Sequence, residues 1–109
     1  MDDAGLELAD RIRALIGDEP TLEEKRMFGT RAFLRGGRIL VGARKGGVML
    51  VRLSAERGAE MLTRPGASIA VMGAKSMGPT WLDVAAEAIA DDERLMLWID
   101  AARESSAGR

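Results

Sequence analysis

Between Lys25 and Leu53 the chain runs in short apolar stretches separated by Gly36-Gly37 and by Lys45-Gly46-Gly47. This punctuation constrains the fold more than any other feature. A two-residue Gly-Gly connection lets both central residues take positive φ, which a tight β-hairpin requires. Consecutive tight turns leave only sequential antiparallel pairing, because a parallel crossover needs about a dozen residues or more. The spacing predicts strands at Arg26–Phe28, Arg31–Arg35, Arg38–Ala43 and Val48–Leu53, the first two readable as one strand bent at Gly29. Ile39-Leu40-Val41 and Val48-Met49-Leu50-Val51 are continuous apolar runs rather than alternating ones. Such runs imply cover on both faces, from helices on one side and a second subunit on the other.

Helical patterns flank this meander. Leu8, Ala9, Ile12, Leu15 and Ile16 form an amphipathic stripe that predicts a helix over Asp3–Ile16, with Gly17 where a C′ glycine sits. Ser54 is an N-cap for a short helix to about Leu62, which Pro65-Gly66 ends. Ser68–Met72 and Thr80–Val84 read as two strands joined by the loop Gly73–Pro79. The last helix opens at Asp91-Asp92-Glu93 and carries Leu95, Trp98, Ile99 and Ala102 on one stripe. The expected fold is α+β, a single antiparallel sheet with helices in the order α-β3-α-β2-α. One domain spans 1–109, ordered over about 3–104, with the tail 105–109 frayed.

The 109 residues include no cysteine, no histidine and no tyrosine. Disulfides, thiolate or imidazole metal sites and the usual near-neutral acid/base are therefore excluded. Ser76 and Thr80 lack the histidine that normally activates a hydroxyl, and Lys75 beside Ser76 lies in a predicted loop. Asp91, Asp92 and Glu93 are explained by helix capping, and Glu23-Glu24 by a solvated loop. Gly37 to Gly42 has phosphate-loop spacing, but Ala43-Arg44 replaces the required Lys-Ser/Thr. The expectation is a protein that is not an enzyme, with no catalytic residue, no metal and no cofactor. No apolar stretch is long enough to span a membrane, and the acidic start is unlike a signal peptide, so a cytoplasmic protein is expected.

Net charge is −1, but it is segregated. Residues 1–24 hold eight acidic and two basic side chains, residues 25–81 two and eleven, and residues 82–109 seven and three. Lys25–Leu53 has eight Lys and Arg and no carboxylate. Arg31, Arg35, Arg38, Arg44, Lys45 and Arg52 are the candidate contacts to a partner or to nucleic acid. The structural alternative is that acidic helices pack beside the basic strands and compensate them internally. Phe28 and Phe33 among these arginines resemble a base-stacking composition, yet both fit a core better, as does Trp98; Trp81 fits either. Met49, Met61, Met72, Met77 and Met96 read mainly as core filler.

Met27-Phe28-Gly29 after an N-terminal helix, Ala32-Phe33, Met49-Leu50-x-Arg52, Met72-Gly73, Met77-Gly78, a strand beginning at Trp81, and Leu97-Trp98 in a closing helix occur in order. This ordered set, over about residues 5–103, resembles the N-terminal domain of the TfoX/Sxy family. The motif residues carried over are Met27, Phe28, Gly29, Arg52, Gly78 and Trp81. The resemblance implies an α-β3-α-β2-α fold similar to secretion-chaperone-like domains. It also implies regulation through protein contacts, without catalytic residues or cofactor. Full-length members regulate competence for DNA uptake and carry a separate C-terminal helical domain; this chain resembles the N-terminal domain standing alone. Two functional expectations follow. One is a regulatory protein-interaction module with a protein partner or a homodimer. The other is direct nucleic-acid binding through the basic strands of residues 25–52.

Overall fold

The helix α1 (Asp3–Ile16) forms where the apolar stripe predicts it. Asp2 caps it, its carboxylate accepting the Gly5 N–H at 3.0 Å. Gly17 ends the helix with φ −65°, so the expected left-handed C′ glycine is not used there. The computed structural model describes residues 2–27 and 29–107. Four strands follow α1: β1 (Leu22–Met27), β2 (Thr30–Arg35), β3 (Arg38–Arg44) and β4 (Val48–Arg52). Next come α2 (Ala55–Met61), β5 (Ala67–Ile69), the small hairpin β6 (Val71–Met72) and β7 (Lys75–Ser76), β8 (Trp81–Val84) and α3 (Asp92–Ala107). The main sheet has the order β1-β2-β3-β4-β8-β5, with antiparallel pairing between every pair of neighbours.

The fold class is α+β as expected, but the element order differs in two places. Residues 22–27 form a full strand of their own, paired with all of β2 rather than continuous with it. Burial alternates over Leu22–Lys25 of this edge strand, but the sequence shows no apolar alternation because the inward position beside Phe33 is Glu24, a carboxylate paired with Arg13 and Arg31. The predicted strand Ser68–Met72 breaks at the buried Ala70. Its N–H donates to the Trp81 carbonyl, while its own carbonyl accepts from Met77 N–H. The chain therefore leaves the sheet, and Val71–Met72 pairs with Lys75–Ser76 inside the predicted loop. At the other end, α3 runs through Ser105 and Ser106 to Ala107.

The continuous apolar runs have local causes. Phe33 stands opposite Val41 and Leu34 opposite Ile39, so Leu40 is an extra residue bulged from β3. Leu40 and Val41 consequently both join the core cluster. In β4, Met49 and Val51 point to the helices and join Ile12, Leu95, Trp98 and Ile99 there. Leu50 points the other way, yet is 3% exposed. It shares a cross-strand row with Ala32, Gly42 and Asp83 on the face away from the helices. Ala32 and Leu34 on that face are buried as well, so Leu50 leaves water within the single chain, while Ile39 and Val48 at the ends of the runs stay half-buried.

Candidate functional site

The six basic candidates do not form one stripe. Arg31 and Arg35 alternate with the core residue Phe33 and share its face, whereas Arg44 and Arg52 lie on the opposite face with Gly42 and Leu50. Four of the six are engaged within the chain. Arg31 Nη1 donates to Glu24 Oε2 at 3.2 Å, and Arg13 of α1 grips the same carboxylate through two bonds of 2.8 and 2.7 Å. Arg13 chiefly, with Arg31 beside it, holds the Glu24 carboxyl below its usual range. Arg35 donates to both oxygens of Glu19 at 3.3 Å, and Arg103 of α3 pairs with that same Glu19. Arg44 donates to Asp83 at 2.8 Å and to the Val71 carbonyl at 3.4 Å, tying the small hairpin to the sheet. Arg52 lies 5.3 Å from the centroid of the Trp81 ring, its direct cross-strand partner.

Arg38, at the exposed start of β3, and Lys45, on the exposed β3–β4 connection, remain. Lys45 stands near Asp2, whose carboxylate also accepts the Gly46 N–H at 3.0 Å. That bond, ahead of the one from Gly5, lowers the Asp2 pKa. One side chain thus caps α1 and pins the β3–β4 turn. Of the three carboxylates that organise this network, Glu19, Glu24 and Asp83, the sequence pattern marks only Glu24, and there as part of a solvated loop. Glu23-Glu24 is not a solvated loop: Glu24 is a strand residue on the helix-facing side of β1. A clue existed in the charge segregation, since acidic segments flank a basic one. Which acid meets which base depends on register.

The motif residues divide similarly. Arg52 and Trp81 are brought together, while Met27 and Gly29 lie around the β1–β2 turn and Gly78 in the loop before β8. Phe28 lies outside the described residues. Phe33 and Trp98 are core residues and Trp81 is half-buried. Met49 and Met61 fill the core, but Met72 is 40% exposed and Met96 is half-buried in a surface groove, so filler describes only part of the set.

That groove, of about 660 Å³, lies where α2 meets the outer side of α3. Asp92, Met96, Asp100 and Glu104 form one row along α3 and Glu93, Leu97 and Ala101 the next, facing Arg57 of α2. Among the described residues, no cluster of three or more acidic side chains could hold a metal ion. No helix among them is long and apolar enough to cross a membrane.

Fold and surface together define a small α+β domain with helices on one face of an antiparallel sheet, basic strands neutralised by local carboxylates, and an acidic groove on its last helix. The chain belongs to the TfoX N-terminal domain family, whose model matches residues 14–106. It is also similar to a crystal structure of a protein from Pseudomonas syringae, a structural-genomics target, with a TM-score of 0.62 and 10% identity over 96% of this chain and 99% of that one. At that identity the likeness concerns the fold alone. No curated protein matches the sequence.

Proposed function

We propose that this domain is a non-enzymatic regulatory module acting through protein contacts, in line with the role in regulating DNA-uptake competence that its family resemblance implies. The observation that carries this reading is the internal neutralisation of the basic strands: Arg31, Arg35 and Arg44 are each bound to a carboxylate. Phosphates would have to compete with Glu24, Glu19 and Asp83 for them, and the side chains point to both faces. A partly apolar groove along α3 offers a surface for such contacts. The missing His, Cys and Tyr support a non-catalytic role.

Nucleic-acid contact is the second reading, and exposed Arg38 and Lys45 favour it. Fluorescence anisotropy with labelled single- and double-stranded DNA and RNA across a salt series separates the two. The expected result is no sub-micromolar binding even at low salt. Tight binding that falls steeply with salt and is lost on charge reversal of Arg35 and Arg38 would replace the protein-contact reading.

A further inference from the structure

We propose that the α2–α3 groove is the docking site for a basic amphipathic segment of a protein partner; this rests on the protein-contact reading above. The argument is charge complementarity around an apolar strip. From Asp92 to Glu104 the two rows extend along about 18 Å of helix. Leu97 is 37% exposed, a large apolar side chain presented to water on a helix whose opposite stripe, Leu95, Trp98, Ile99 and Ala102, is spent on the core. Around Leu97 and the half-buried Met96 stand four exposed carboxylates, Asp92, Glu93, Asp100 and Glu104; three of them meet an arginine, but in solvent-exposed pairs, which are weak and open to exchange with a partner's cations.

The chain itself shows how a cationic head is received there. Arg57 pairs with Glu60 on its own helix α2 and lies 3.9 Å from Glu104 of α3. Asp92 and Asp100 meet only arginines at the groove margin, Arg11 at 3.2 Å and Arg103 at 3.7 Å, and Glu93 has no ion pair among the described residues. A segment with an apolar residue for Leu97 and Lys or Arg three or four positions on either side would bury the strip while meeting the acidic rows. An acidic segment would be repelled by the same groove.

The test uses the whole chain and two synthetic helical peptides of about 14 residues, slightly longer than the strip, one patterned Leu/Lys and the other Leu/Glu. Binding is followed by amide chemical-shift mapping and calorimetry. The Leu/Lys peptide is expected to shift residues 92–104 and 57, and to weaken several-fold between about 50 and about 300 mM salt. Asp100→Lys with Glu104→Lys is expected to weaken it at least about tenfold, and Leu97→Ser several-fold. Both sites are exposed, and lysines suit the last turns of a helix, so circular dichroism should show an intact fold. Asp18→Lys, on the turn after α1, is the control for unspecific charge and should change nothing. Equal binding of the Leu/Glu peptide, shifts centred elsewhere such as on Val71–Ser76, or no binding of either peptide would overturn the proposal. None of these outcomes touches the protein-contact reading, which falls only if the nucleic-acid titration is positive.

Discussion

Single residues here act through what stands next to them in space. Gly58 lies inside α2, where helix propensity alone favours alanine by about 1 kcal/mol. A Cβ at that position would sit 1.8 Å from the Pro79 carbonyl oxygen, which is backbone and cannot swing away. Gly58→Ala is therefore expected to destabilise the domain by about 1–3 kcal/mol, measured by urea unfolding; a gain in stability would show that the loop before β8 yields freely. Arg52 and Trp81 are a second case. They are 29 residues apart, and both belong to the set on which the family resemblance rests. Only the β4–β8 register makes them opposite neighbours. Across that register the Arg52 guanidinium lies over the Trp81 indole.

At the scale of elements, turn chemistry was legible and edge chemistry was not. Gly36 and Gly37 have φ of 59° and 79°, the doubly left-handed turn that their adjacency between strands predicts. Replacing both by alanine is expected to cost about 2–3 kcal/mol, read by thermal unfolding, with asparagine at either position costing less. An unchanged midpoint would mean the hairpin can be closed by another turn. β1 was legible only at its end, as Arg26–Phe28, because its inward position Glu24 is an ion-paired carboxylate where an apolar residue would have marked the strand. Its charges have a consequence for dimers formed through this edge. Two copies related by a two-fold axis set a residue opposite itself, and an axis at Glu23, Glu24, Lys25 or Arg26 sets like charges together. The flanking pairs are of opposite sign, since an axis at Glu24 sets Glu23 opposite Lys25 and one at Lys25 sets Glu24 opposite Arg26, so the charges of this edge do not by themselves forbid self-pairing.

At the scale of the whole molecule, the charge segregation becomes a stability device with a definite pH response. Glu24, Asp2 and Asp91 are all held below their ordinary values. The causes are Arg13 for Glu24, the Gly46 N–H for Asp2 and the Arg94 N–H for Asp91. A carboxylate with a lower pKa in the folded state lets the unfolded chain bind protons first as the pH falls. Its contribution is complete above the ordinary carboxylate values and is lost as the pH drops through the lowered ones. The thermal midpoint is expected to be nearly level from about pH 6 to 7, where no histidine is present to titrate, and to fall below about pH 4.5. Glu24→Gln should lower the plateau by about 1–2 kcal/mol and flatten the acid limb. An acid limb unchanged by that substitution would assign the response to other carboxylates.

The amino-acid order alone specifies the helix stripes, the tight turns and hence an antiparallel α+β sheet, because these follow from periodicities and backbone preferences acting over a few residues. It also determined the chemistry the chain lacks, since absent residue types cannot be supplied by folding. Only the tertiary structure decided that Glu24 serves both Arg13 and Arg31, that Glu19 serves both Arg35 and Arg103, and that Leu50 is buried opposite the helices. Strand register and the bulge at Leu40 set those partners. A shift of one residue would turn the strand side chains among them, Glu24, Arg31, Arg35 and Leu50, to the other face of the sheet.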